Sequence, residues 1–329
     1  MGDTVFTIPA IKKLSQLADK EITIFCYENS KKLYDLVFNS HRFITITKSD
    51  FYWENRIASH RIRKILKKID PEIIIDITGG IQSASILFSS SAKKIYGFSE
   101  HYFRNIYTDF IPQRKTPHLM DLYLDVINVY RPFIREESDK KFEADIKPDG
   151  VIMIHPFAGW AAKEWNLEKF IELSSLLKED YECRWVIQND MDELTKRKIE
   201  EEKISITITE SIEELIETIK KCSLFISNDS GPLYIASLLG KPTFTIYGPT
   251  NPLYSLPRGE FHRMIQKKIE CTPERNHQYC YTHAGLFCPD YQCMKLLSVN
   301  DVYQSVKKFL EDLKIETKTK VSGIWNFNL

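Results

Sequence analysis

Ser227-Asn228-Asp229-Ser230-Gly231-Pro232-Leu233-Tyr234-Ile235-Ala236-Ser237-Leu238-Leu239-Gly240-Lys241-Pro242-Thr243-Phe244-Thr245-Ile246-Tyr247-Gly248-Pro249-Thr250-Asn251-Pro252 reads as strand, tight turn, helix, turn, strand and turn. Asp229 or Ser230 suits the helix cap, and Pro232 suits its first turn, where a missing N–H costs nothing. The chain has only 12 glycines in 329 residues, about half the usual ~7%, so three of them in this block (Gly231, Gly240, Gly248) carry information. A helix start has unpaired N–H groups and positive dipole character. Here it stands beside a residue without a side chain, at the carboxyl end of a strand, where open α/β sheets place anionic ligands. A well-capped structural helix is the alternative reading of the same residues. Gly240-Lys241-Pro242 reads as an ordinary helix stop and strand start.

Outward from this block the same alternation continues. Strands are expected at Glu21–Cys26, Phe43–Thr47, Glu72–Ile77, Lys94–Phe98, Val151–His155, Cys183–Gln188, Ile204–Ile208, Ser223–Ser227 and Thr243–Tyr247. Ile73-Ile74-Ile75 and Val151-Ile152-Met153-Ile154 are continuous apolar runs, of the kind buried on both faces of a parallel sheet. Leu167–Leu177, Ser211–Lys220 and Val299–Leu313 carry apolar residues at helical spacing. Repeated βα alternation predicts a doubly wound α/β architecture. Charged Arg135–Gly150 reads as a linker between two such domains, 1–145 and 146–329; an exposed excursion within one large sheet is the alternative.

The composition narrows the function classes. The chain has 45 Lys+Arg against 45 Asp+Glu, which argues against affinity built on phosphate neutralisation along a nucleic acid. No apolar run approaches the ~18–20 residues of a membrane span. Asp3 stands where an export signal carries positive charge, and Phe6 fills the position that N-myristoylation requires to be Ser or Thr. Seven cysteines, an odd number, without an export signal read as reduced thiols in a cytoplasmic chain.

A second segment, His155-Pro156-Phe157-Ala158-Gly159-Trp160-Ala161-Ala162-Lys163-Glu164-Trp165, follows the first strand of the C-terminal half. It puts Lys163 in a loop at the sheet's carboxyl edge, in reach of a diphosphate, although a loop lysine on its own is usually solvated. With the Asp229–Gly231 turn in the same domain, the two segments resemble glycosyltransferase family 9, the ADP-heptose–lipopolysaccharide heptosyltransferases. Asn228-Asp229-Ser230-Gly231-Pro232 with Ala236, Gly240-Lys241-Pro242 and Gly248-Pro249-Thr250 is similar to that family's donor-site signature. His155-Pro156 through Lys163-Glu164-Trp165 resembles a second signature, and Gly2-Asp3 with Pro9-Ala10 the opening one. Ile75-Asp76, Gly97-Phe98 and His118 are weaker echoes, and the likeness spans residues 2–310.

The resemblance implies a GT-B fold, two Rossmann-like domains facing across a cleft, with the acceptor on the N-terminal domain and the nucleotide-sugar on the C-terminal one. It implies inverting, metal-independent transfer of a sugar, heptose from ADP-heptose, to a lipopolysaccharide core or related glycan. The ADP-sugar is a substrate and no cofactor is implied; peripheral contact with the inner membrane's cytoplasmic face is. By motif, Asp3 is the catalytic base, and Lys163, Ser230 and Gly231 hold the donor diphosphate. Asp229 and Tyr234 belong to the same donor turn, and Glu193 matches the acid that binds the ribose. The chemistry is coherent. Inversion needs one carboxylate to accept a proton opposite the leaving group, and a departing nucleoside diphosphate needs the charge that Lys163 and helix amides supply. Without the resemblance, Asp3 reads as a solvated cap for a helix beginning near Pro9.

The chain departs from the family pattern in four places. No hydrophobic strand precedes Gly2-Asp3; in a doubly wound sheet that strand is central, and without it ladder groups on both neighbours stay unpaired. The expectation is a shortened sequence whose full chain has about ten more residues. Tyr234 stands where many relatives have His, Asn166 replaces a common Pro, and Phe157 a usual Gly.

Cys271, Cys280, Cys288 and Cys293, with His277 and His283 between them, lack the paired spacing of a zinc ribbon. Reduced loop thiols and a structural metal both remain open. Arg258 to Arg275, with Lys267-Lys268, is mildly basic, and Glu316–Leu329 reads as a loose tail. A catalytically degenerate sugar-nucleotide-binding protein is the competing reading. A nicotinamide-dependent oxidoreductase is disfavoured because no Gly-x-Gly-x-x-Gly occurs.

Overall fold

The computed structural model describes residues 2–315 except 55, 89, 99–103, 112–117, 137–141, 143–144, 148–149, 190, 275–276 and 281–287. The expected tail, His283 and Arg275 lie outside the described residues. The chain divides into two compact units, Asp3–Lys140 and Lys141–Leu329, the latter taking in Met1–Gly2.

In the N-terminal unit the parallel strands are β1 (Thr23–Tyr27), β2 (Arg42–Ile46), β5 (Ile73–Ile75), β6 (Lys94–Phe98) and β7 (Asp109–Ile111); β3 (Phe51–Tyr52) and β4 (Ile57–Ala58) form a small antiparallel hairpin. Among the described residues these make separate ladders, β1-β2 and β5-β6-β7, so β1 and β5 each pair on one side only. Lys20 and Glu72, just ahead of β1 and β5, form an ion pair at 2.9 Å. Phe25, Tyr27 and Ile74 pack on one cluster with Ile62 and Leu66. At the carboxyl end of β5 the buried Asp76 accepts from the Thr78 and Gly79 amides at 2.9 and 3.1 Å and from the Tyr107 hydroxyl at 2.8 Å. Gly79 sits at φ +64, and a Cβ there would lie 2.6 Å from the Phe98 ring, so this turn requires glycine.

The first helix corrects one expectation. It runs Gly2–Leu17, with Pro9 inside it and Asp3 in its first turn, so Asp3 does not cap a helix starting near Pro9. Burial outweighs the hydrogen bond that Pro9 removes: Val5, Phe6, Ile8, Ala10 and Ile11 are all buried, and the Thr7 and Tyr34 hydroxyls pair at 2.7 Å.

The C-terminal unit holds one parallel six-stranded sheet, from β8 (Val151–His155), β9 (Cys183–Gln188), β10 (Ile206–Thr209), β11 (Cys222–Asn228), β12 (Thr243–Tyr247) and β13 (His262–Gln266), in the order β10-β9-β8-β11-β12-β13. This is a doubly wound order, with the direction of winding changing between β8 and β11. Ile152, Ile154, Leu224, Ile226, Phe244 and Ile246 alternate onto one face, as period two dictates, and pack against the helices Leu167–Lys178 and Val299–Asp312 through Phe170, Leu173, Val306 and Phe309. Each such side chain, fully buried, contributes about 1.5–3 kcal/mol. Gly240 ends the helix Gly231–Leu238 in the left-handed region, at φ +72. Lys241 is fully buried and paired with Asp145, a stronger constraint than an ordinary helix stop. Strands β7 and β13 were not expected from the sequence.

Candidate functional site

The winding change between β8 and β11 brings the two C-terminal motifs together at the carboxyl edge. Asn228, the last residue of β11, is fully buried. Its amide donates to the Pro156 carbonyl at 2.6 Å and accepts from the Trp165 N–H at 3.1 Å, stapling both ends of the 156–165 loop to β11. The Trp165 indole is buried and donates to the Leu297 carbonyl at 3.1 Å. Glu164 accepts the Ala158 amide at 2.9 Å, and burial pushes its carboxyl above the usual range. Asn166, where the family commonly has Pro, caps the following helix by accepting from the Glu168 amide at 2.8 Å.

Within this frame the Lys163 ammonium meets the Asp229 carboxylate at 2.7 Å, and it lies 4.6 Å from the Trp160 ring centroid. Asp229 is 4% exposed and accepts from three side chains: besides Lys163 it takes the Thr250 hydroxyl at 2.8 Å and the Tyr234 hydroxyl. Burial, then the charge of Asp229, raises the Tyr234 phenol well above its ordinary value, so it stays a proton donor. Tyr234 therefore acts on Asp229 from inside the fold. Ser230 is the N-cap of Gly231–Leu238 yet makes no side-chain cap bond, and among the described residues its buried Oγ has no partner. A buried hydroxyl without a partner costs about 1–3 kcal/mol, unless something else accepts from it or donates to it. Gly231 and Lys163 are the partly exposed members of the turn.

Lys163, Asp229, Ser230, Gly231 and Tyr234 thus converge on one helix start. Glu193 does not join them. It opens the helix Glu193–Glu201 beyond β9 at the same sheet edge, largely exposed and paired with Lys196 at 3.0 Å. Asp3 is exposed in the first turn of its helix in the other unit. Thr250 and Trp160 were not among the expected site residues. The signal for Thr250 was its place just beyond β12, the strand paired in parallel with β11.

Beside this cluster lies a cavity of about 420 Å³, lined by Ala162, Gly248 and Pro249 together with Cys271, Cys280, Cys288 and Cys293. All seven cysteines are free. Burial, reinforced by the neighbouring thiols, pushes Cys293 up to about 11 and Cys271 upward. Among the described residues no group of three or more His, Cys, Asp or Glu side chains is arranged to hold a metal ion.

The sequence profile of glycosyltransferase family 9 (heptosyltransferase) matches residues 59–284, more than half of the chain. The chain belongs to glycosyltransferase family 9. It is a heptosyltransferase-like glycosyltransferase with a GT-B-type fold of two Rossmann-type units. This family 9 chain is 23% identical to lipooligosaccharide heptosyltransferase 2 of Campylobacter jejuni, over 95% of its own length and 96% of the relative's. Its fold matches a family 9 glycosyltransferase from Veillonella parvula, at TM-score 0.72 and 18% identity, covering 94% of each chain. It also matches an Escherichia coli heptosyltransferase solved with ADP, at TM-score 0.68 and 16% identity, covering 95% of this chain and 96% of that one.

Proposed function

We propose that this family 9 enzyme is an inverting, metal-independent transferase that moves heptose from ADP-heptose onto a lipopolysaccharide core or a related glycan. The observation that carries the reading is the Lys163–Asp229 pair at the start of the Gly231–Leu238 helix, with the Ser230 hydroxyl, unpartnered among the described residues, beside it. Lys163 spends one proton on Asp229 and keeps others for phosphate oxygens. The Gly231 amide and the Ser230 hydroxyl supply neutral donors, and the helix dipole adds positive potential. Together these groups offset charge on a departing nucleoside diphosphate. The solved relative that carries ADP supports a diphosphate of this class as the ligand. Glu193 is assigned the donor ribose; its ion pair with Lys196 is exposed and weak enough to exchange. Asp3, exposed at the amino end of its helix, is assigned the proton of the acceptor hydroxyl. Transfer takes place at the cytoplasmic face of the inner membrane, where a lipid-linked acceptor is presented.

The test is a transfer assay with ADP-heptose and a lipid-linked core acceptor, run beside ADP calorimetry. Asp3→Ala should lower turnover by about 10²–10⁴-fold while leaving ADP affinity near that of the native chain. Unchanged turnover refutes the base assignment. ADP binding without any transfer by the native chain favours a sugar-nucleotide-binding protein instead.

A further inference from the structure

Trp160 and Tyr279 stand beside the diphosphate anchors, and the donor chemistry above does not use their rings. Trp160 is 44% exposed and Tyr279 37%, whereas Trp165 of the same loop is buried. The two rings meet, with centroids 5.9 Å apart and planes at 55°. Both are tied by backbone to the groups that bind Asp229. The Trp160 carbonyl accepts the Lys163 amide at 2.9 Å, so indole and ammonium belong to one short turn. Tyr279 forms an antiparallel bridge with Thr250, whose hydroxyl donates to Asp229. On either side of that bridge the Asn251 amide donates to the Gln278 carbonyl at 2.9 Å and the Cys280 amide to the Pro249 carbonyl at 2.8 Å.

Gly159 adds an independent observation. It is exposed and lies outside the left-handed region, and a Cβ added to it would meet no heavy atom within 4 Å among the described residues. Neither turn geometry nor packing asks for glycine here, although glycine costs conformational entropy. A bare backbone beside an exposed indole suits a ligand that approaches both. Strand order tells which end of the ligand this is. Glu193, assigned the ribose, follows β9, on the far side of β8 from β11, whereas Tyr279 bridges the segment just beyond β12. Along the carboxyl edge, the Lys163–Asp229 pair therefore lies between the ribose acid and Tyr279.

We propose that Gly159, Trp160 and Tyr279 form the platform for the donor's sugar, a pyranose lying with its C–H face on the indole. The inference rests on the donor reading given above. The C–H groups of a pyranose face carry partial positive charge, and the face of an aromatic ring is negative, so the two attract. Burying that apolar face adds to the contact. The Lys163 ammonium lies 4.6 Å from the indole centroid, so one turn meets both the diphosphate and the sugar joined to it. A nucleobase also stacks on an indole, and the experiment is chosen to tell it from the sugar.

Calorimetry with ADP and with ADP-heptose, on the full chain and its variants, tests it. Trp160→Ala should lose about tenfold more affinity for ADP-heptose than for ADP, and Tyr279→Leu about threefold more. Trp160→Phe, which keeps an aromatic face, should recover most of that difference. Gly159→Ala separates binding from folding. It should melt no lower than the native chain, because the position accepts a side chain, yet lose affinity for ADP-heptose selectively. Equal losses for the two ligands in Trp160→Ala mean that the indole serves the nucleobase or the diphosphate, and overturn the proposal. Unchanged affinity for ADP-heptose in Trp160→Ala does the same. A native chain that binds neither ligand overturns the donor reading itself, whereas ADP binding with equal losses overturns only the sugar platform.

Discussion

The six strands from β10 to β13 form one continuous parallel ladder, whereas the parallel strands of the N-terminal unit lie in two ladders that end at β1 and β5. The same kind of sequence meets different fates in the two. Ile152 and Ile154, in the middle of the C-terminal sheet, are fully buried, while Ile73 of the equally apolar β5 is 41% exposed. A continuous apolar run specifies a strand that can be buried on both faces; whether it is buried depends on what pairs with its edges. The continuous sheet positions a site through the hydrogen bonds of Asn228, Asp229 and Lys163. The interrupted one presents a hairpin and an exposed Asp3.

The largest test of this contrast is a matched pair of truncations. Phe225→Ala, at a fully buried position of β11, should cost about 3–5 kcal/mol, and Phe25→Ala, at a half-buried position of β1, roughly half of that. Urea unfolding followed by hydrogen exchange in each unit measures both, and equal costs would erase the distinction.

One acid-sensitive group lies in the six-stranded sheet. Burial holds His262, at the start of β13 and 2.9 Å from the Thr243 hydroxyl, down to about 4. The unfolded chain takes up this proton near pH 6.5 and the folded one only near 4, so stability from this group is complete above 6.5 and is lost as pH falls toward 4, about 3 kcal/mol in all. The stability difference between pH 7 and pH 4 should shrink in His262→Gln; an unchanged difference contradicts the assignment.

A smaller effect is expected at the site itself. Tyr234→Phe removes one of three donors to the buried Asp229 and should cost about 1.5–3 kcal/mol of stability, with ADP affinity falling as Asp229, the partner of Lys163, is held less firmly. If the variant matches the native chain in both measurements, Tyr234 is packing only. The finest probe is amide exchange. Ile73–Ile75 should exchange well ahead of Ile152–Ile154, and similar protection would mean that β5 has a second partner.

Much of the C-terminal unit was legible in advance because its strands are bounded by turn residues and buried on both faces. Val151–His155, Cys183–Gln188 and Thr243–Tyr247 match their expected limits to the residue. β13 escaped because His262-Arg263-Met264 at a sheet edge mixes exposed and buried positions without an apolar run. In the site, Lys163 and Asp229 were readable as separate motifs, but their pairing depends on strand order. The roles of Asn228 as a staple and Thr250 as a third donor come from the parallel pairing of β11 with its neighbours, which no local pattern encodes. Pro9 misled in the opposite direction. Its punctuation signal was real, but the buried stripe Val5–Ile11 outweighed it.

The central claim is that Lys163, held by Asp229 at the start of the Gly231–Leu238 helix, receives a nucleoside diphosphate. Calorimetric titration of ADP into the native chain and into Lys163→Ala tests it most directly. Saturable one-to-one binding that weakens by about 10–100-fold in the variant is the predicted result. No heat of binding in the native chain, or the same affinity in both, would contradict it.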